Sequence, residues 1–216
     1  MRQLEPDDAT IVETPVQDPI ALVGLALRIP SGAKVCGGFR IERRPRKNIQ
    51  HEPIMIPGKI VRFLQDYANV AFAGTRNRNL VPYGHRVSGW RVGDEGRTLT
   101  AFIAEPFTPR LVESLEDNGE FALTVEEFPS HETYQFKGRY LRHRPVQDDD
   151  VKVVDTIRRR FAKQIRPIYP DAPDSIWHAF ILKPCLAVEF EVHEIYLQTP
   201  GPGAGARLVP PPEEAR

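Results

Sequence analysis

LVPYGHRVSGWRV, GDEG, RTLTAFIA: residues 80–104 read as two extended runs joined by a tight turn. Val81, Tyr83, Val87, Trp90 and Val92 supply the β-branched and aromatic content of the first run, and Pro82 stands near its start, where a strand tolerates a missing N–H. Gly93-Asp94-Glu95-Gly96 has the composition of a hairpin turn. Two strands joined this tightly must be antiparallel, because a parallel pair needs a long crossover.

The pattern extends in both directions. Upstream, Pro57 suits a first helical position, and Ile60, Phe63, Leu64 and Tyr67 recur at helical spacing. Ala68–Thr75 alternates as a strand, and Asn77-Arg78-Asn79 supplies a turn. Downstream, Thr108 and Pro109 open a helix that buries Leu111, Val112 and Leu115, and Asn118-Gly119 ends it. Phe121, Leu123 and Val125 alternate along a fourth strand. A long fifth strand, 133–146, carries Gly138 at a bend or a close backbone approach. Asp148-Asp149-Asp150 starts a helix to about residue 166, its acidic start and basic end matched to the helix dipole. The last strand, 184–199, turns Leu186, Val188, Phe190 and Val192 one way, and Ile195 and Leu197 reverse that phase, which predicts a bulge.

The expectation is therefore a mainly β protein with flanking helices: six short antiparallel strands forming a closed or nearly closed barrel. It occupies residues 54–199. Residues 1–53 read as a disordered extension with a basic cluster at Arg40–Lys47, and the Pro/Gly-rich stretch 200–216 as a disordered tail.

Bulk properties narrow the function. The 216 residues include 29 basic and 29 acidic side chains and 41% hydrophobic residues. Such a balance gives no general attraction to nucleic acid or to an anionic membrane. The apolar runs fall short of the roughly 20 residues of a membrane span, and the acidic start lacks signal-peptide order. Cys36 and Cys185 sit in dissimilar contexts, so a disulfide is not expected and a cytoplasmic, reducing compartment is. The only Gly-rich candidate, Gly201–Gly205, has no helix after it, no nucleophile elbow occurs, and the six histidines show no zinc spacing, so no metal site is expected.

Taken in order, several short motifs resemble the FMN-binding split barrel of the pyridoxamine 5'-phosphate oxidase-like superfamily. They are Val70–Thr75 followed by Arg76–Asn79, Pro82–Val87, Phe102–Ala104 with Thr108-Pro109-Arg110, Asn118–Leu123, and Tyr134-Gln135-Phe136-Lys137-Gly138. The resemblance implies a six-stranded antiparallel split barrel and a homodimer with FMN at the subunit interface. It also implies a flavin-dependent oxidoreductase acting on a small molecule. Deazaflavin and haem are the alternative cofactors, and a non-catalytic flavin- or haem-binding module is the alternative role. By the same resemblance the cofactor-binding set is His85, Arg86, Val87, Thr108, Arg110, Gln135 and Lys137. Arg86, Thr108 and Arg110 would hold a phosphate near a helix N-terminus. His85, Gln135 and Lys137 would donate to the flavin ring, with Val87 as apolar wall. Arg86 and Lys137 read equally well as surface charges, and Trp90 as core. The tail lacks the Arg/His-rich substrate segment of the best-known oxidases, so oxidation of pyridoxamine phosphate is not implied.

Overall fold

Seven strands share one antiparallel sheet in the computed structural model, which describes residues 52–93, 95–173, 175 and 182–208. In chain order they are β1 (Val70–Arg76), β2 (Pro82–Val87), β3 (Gly89–Val92), β4 (Thr98–Ala104), β5 (Glu120–Glu126), β6 (Thr133–Pro145) and β7 (Pro184–Leu197). Among the described residues three named α-helices accompany them: α1 (Gly58–Arg62), α2 (Thr108–Asn118) and α3 (Asp148–Ile165). The basic cluster at 40–47 and the chain beyond Leu208 lie outside the described residues.

The sheet order is β2-β1-β5-β6-β7-β4-β3. The count of seven corrects the expected six. The run read as one strand, 80–92, is interrupted at Ser88, and its halves pair with opposite ends of the sheet: β2 with β1, β3 with β4. Ser88 alone joins the two edge strands, so the sheet must curl until its ends meet. Its N–H donates to the Phe102 carbonyl at 2.8 Å and its Oγ to the Leu182 carbonyl at 2.6 Å, so both of its donors are satisfied at the break.

Strand alternation fills the inside of this curl. Ala71, Ala73, Val87, Leu99, Ala101, Leu123, Val125, Phe136, Val188, Phe190 and Val192 are all buried in one cluster. The expected bulge is present. Glu194 opposes Lys137 and Val192 opposes Gly138, so His193 is the extra residue that shifts the buried phase from Val192 to Ile195. Gly138 lies at that shift, and a Cβ there would stand 1.7 Å from the Glu191 carbonyl oxygen. The two backbones approach where no side chain fits.

The helices close the ends. Ile60, Phe63 and Leu64 are buried as predicted, but Tyr67 is exposed, because α1 widens into a π-type turn over Phe63–Tyr67 that rotates it off the apolar stripe. Helix α2 begins at Thr108 after a 3₁₀ turn at Glu105–Phe107; the Thr108 hydroxyl donates back to the Glu105 carbonyl instead of capping the helix. It ends at Gly119 in the left-handed region, φ 68°, as Asn-Gly foretells.

Helix α3 starts with a capping box formed by Gln147 and Asp150. Asp150 is fully buried and accepts from both Arg144 nitrogens, at 2.5 and 3.1 Å, while Arg91 of β3 stands 3.1 Å away. Burial pushes the Asp150 carboxyl up, but the bonds from Arg144 and Gln147 and the charges of Arg144 and Arg91 bring it below the ordinary carboxylate value. Farther along the helix Arg160 donates to the Ala68 carbonyl at 2.7 Å, which ties α3 to the residues before β1.

Beyond β7 the chain described as tail by composition turns back. Leu197 N–H donates to Ala206, Gly205 to Leu197 and Leu208 to Ile195, holding residues 205–208 against the strand.

Two substitutions test these joints. Gly138→Ala forces β6 and β7 apart and is expected to cost about 3 kcal/mol or more, read as a shift in the denaturant midpoint. Asp150→Ala removes the capping box and the partner of two arginines. Because those arginines keep access to water, the expected cost is lower, about 2 kcal/mol, measured the same way.

Candidate functional site

Strand alternation divides the sequence-predicted set. His85, Arg86 and Val87 are consecutive on β2, so they cannot share a face. His85 and Val87 turn inward and are buried, whereas Arg86 turns outward and is partly buried. Burial alone pushes the Arg86 guanidinium below its ordinary value, still well within the charged range. Gln135 and Lys137 also turn outward, on β6.

The register places these three on one face. Arg86 opposes Phe72, Phe72 opposes Thr124, Thr124 opposes Gln135, and Gln135 opposes Tyr196. This rung crosses five strands, and from β2 to β6 it spans about 14 Å at the usual strand spacing. The next rung holds Gly84, Gly74, Ala122, Lys137 and Glu194. Its first three residues are small, and nothing lies within 4 Å of a Cβ built on Gly74. The outer face thus has a flat, open floor at Gly74, Gly84 and Ala122. Phe72 stands beside it, 47% exposed, with Arg86 on one side and Gln135 and Lys137 on the other. Lys137 Nζ lies 4.5 Å from the centre of the Tyr196 ring. Gln135 Nε2 donates to Thr124 Oγ1 at 3.1 Å, which leaves its second N–H.

A cleft of about 510 Å³ continues this face past Gln135, lined by Thr124, Glu126, His131, Thr133 and Gln198. The left-handed backbone that sets His131 apart, φ 56°, leaves no mark in the composition.

The remaining predicted residues gather elsewhere, around the start of α2. Arg110 is exposed, its guanidinium carbon 5.3 Å from the centre of the Tyr83 ring. His85 is stacked on Phe107 at 5.3 Å and tilted against Tyr83 at 5.5 Å. Its Nδ1 donates to the Arg86 carbonyl at 3.1 Å, while the buried Nε2 has no hydrogen-bond partner. Burial pushes its pKa down, and the Arg86 carbonyl offsets only part of this. Thr108, at the helix start, is occupied with Glu105. Val87 belongs to the core, as does Trp90, whose Nε1 donates to the Leu64 carbonyl at 3.1 Å. The seven residues therefore form an outer set (Arg86, Gln135, Lys137), an α2 set (His85, Thr108, Arg110) and one core residue.

Among the described residues no group of three His, Cys, Asp or Glu side chains could hold a metal ion, and no helix is long and apolar enough to cross a membrane.

Fold and face together define a class: a curled antiparallel sheet of split-barrel type with one open, mixed polar and apolar outer face. Solved structures similar to this chain include HupZ of Group A Streptococcus, with 15% identity and a TM-score of 0.43, covering 70% of this chain and 99% of that one. A putative pyridoxamine 5'-phosphate oxidase from Lactobacillus delbrueckii is 11% identical, with a TM-score of 0.41 and coverage of 66% and 93%. An FMN-binding protein from Syntrophomonas wolfei is 15% identical, with a TM-score of 0.38 and coverage of 63% and 82%. No family profile and no curated protein matches the chain.

His85 generates a pH prediction. Its folded pKa lies below the unfolded value of about 6.5, so the unfolded state takes up the proton first. Stability contributed by neutral His85 is present above about pH 6.5 and is lost on acidification below it. His85→Phe keeps the stacking on Phe107 and removes the titration. The variant's melting temperature is expected to fall less than the wild type's between about pH 7.5 and about pH 5.5, in calorimetric scans of both proteins.

Proposed function

We propose that the chain is an FMN-binding member of the pyridoxamine 5'-phosphate oxidase-like superfamily, working in the cytoplasm as a homodimeric flavin-dependent oxidoreductase on a small molecule. The carrying observation is the outer-face floor: Gly74, Gly84 and Ala122 leave open a planar space flanked by Arg86, Gln135 and Lys137.

The residues fit such a group chemically. A planar ring system needs a floor without protruding side chains, and Gly74 provides a place that a Cβ would begin to fill. The pyrimidine edge of a flavin needs hydrogen-bond donors, which the second Gln135 N–H and the Lys137 ammonium supply. Its phosphate needs fixed cationic donors. Arg86 is the candidate on this face, and Arg110 is the candidate if the phosphate reaches the start of α2. Bound flavin supplies hydride-transfer chemistry, while the protein binds, orients and excludes water. Exclusion of water is what a second copy would add: the floor and the exposed Phe72 ring lie open in one chain, and a partner over them would enclose the cofactor at the interface. Deazaflavin shares the planar ring and makes the same demands of the floor.

The test is the absorption spectrum of the purified protein before and after FMN titration, followed through gel filtration. A flavin spectrum eluting at dimer size is the expected result; a colourless monomer that ignores FMN would sink the reading. Gly74→Leu locates the site, since its side chain meets open space and leaves the fold intact. It is expected to abolish FMN binding with little change in melting temperature. Arg86→Ala is expected to weaken FMN binding about 10- to 100-fold, from the loss of charge-assisted bonds worth roughly 1.5–3 kcal/mol. Arg110→Ala, measured alongside it, tells which cation holds the phosphate.

A further inference from the structure

The cleft beyond Gln135 contains an arrangement that flavin binding does not require. His131 lines it, and Nδ1 of its ring lies 2.8 Å from Glu126 Oε1. A carboxylate can only accept, so Nδ1 carries the proton toward Glu126 and Nε2 is left as the basic nitrogen. That is the geometry of an imidazole base oriented by a carboxylate.

The backbone around this ring is fixed at a conformational cost. His131 has φ 56°, in the left-handed region that few non-glycine residues occupy. Five hydrogen bonds hold the turn. His131 N–H donates to the Glu127 carbonyl at 2.9 Å and Glu127 N–H to the Glu132 carbonyl at 2.9 Å. Ser130 Oγ donates to Glu127 Oε2 at 2.6 Å and accepts from Glu132 N–H at 3.1 Å. Thr133 Oγ1 donates to the His131 carbonyl at 2.8 Å. Strained conformations persist where the surroundings overdetermine them, and they concentrate at working sites.

The neighbouring carboxylates are committed elsewhere. Glu127 takes Ser130, and Glu132 takes the Tyr134 hydroxyl at 2.6 Å; burial first, then the Glu132 contact, pushes that phenol up to about 12. Glu126 is therefore the group that faces the imidazole. The rest of the lining is neutral: the amides of Gln135 and Gln198, the hydroxyls of Thr124 and Thr133, and the ring of Pro200.

We propose that this cleft binds a small, weakly acidic planar molecule, a phenol or enol, and that His131 Nε2 takes its proton. In that step the O–H bond breaks and its electron pair stays on oxygen. The proton forms an N–H bond on His131, and Glu126 stabilises the resulting imidazolium. The amide of Gln198 holds the oxyanion. No oxidant or reductant is involved, so the step stands whether or not a flavin lies on the adjoining floor.

The probe is para-nitrophenol, whose neutral and ionised forms differ in absorption, added to the full-length protein as purified at a pH where free probe is mostly neutral. The difference spectrum against unliganded protein should show bound phenolate. His131→Gly suits the left-handed backbone and preserves the turn, which circular dichroism and an unchanged melting temperature would verify. In that variant the phenolate signal should fall at least tenfold, and added imidazole should restore part of it. An equal phenolate signal in His131→Gly, or no probe binding to the wild type, overturns the proposal. Because the readout needs no FMN, its failure is distinct from failure of the flavin reading.

Discussion

One residue, Ser88, carries the closure on which the rest of the molecule depends. It joins β2 and β3, the two edge strands of the sheet, so the sheet can satisfy its connectivity only by curling end to end. The curl separates an inner face, which becomes the core, from an outer face open to ligand. It also brings Gly89 under α3, where a Cβ would meet Val154 at 3.0 Å and Ile157 at 3.2 Å. Helix α3 can therefore lie close on the seam, and the buried Asp150 ties its start to Arg91 of β3 and Arg144 of β6. Closure, core and helix docking are consequences of one constraint.

Curling must be accommodated in the longest ladder, β6 against β7, whose register shifts at Tyr140/Arg142 and again at the Lys137/Gly138 bulge. His193 is the extra residue, and Gly138 opposite the shift has no side chain to block the Glu191 carbonyl. The bulge was legible in the sequence because a phase reversal along a strand, Val192 to Ile195, shows directly in the apolar pattern. So did the stop of α2 at Gly119 and the antiparallel arrangement. The break at Ser88 was not legible. Nothing in SGW distinguishes a strand that continues from one that changes partners, since partner choice is a property of the sheet.

The candidate site was legible in part. Gln135 and Lys137, two apart on one strand, share a face in any register, and the structure places them so. His85-Arg86-Val87 could not share one, and alternation sends only Arg86 outward. Arg110 and Thr108 come from the resemblance as phosphate-binding residues; the Thr108 hydroxyl donates to Glu105 and Arg110 lies over Tyr83, contacts that no strand pattern foretells. The cleft at His131 escaped the sequence reading because its defining features, a left-handed φ and a carboxylate on Nδ1, depend on the turn closing across β5 and β6.

The sequence by itself determined the periodicities: which segments are extended, which are helical, and which residue types lie on each face of a strand. These are local properties, set by side-chain size, branching and capping chemistry within a few residues. Only the tertiary structure decided that strand 80–92 serves two edges, that Gly74, Gly84 and Ala122 align into a floor, and that Glu126 meets His131. Each of those depends on the register between strands distant in the chain, which is fixed by closing the sheet around one core.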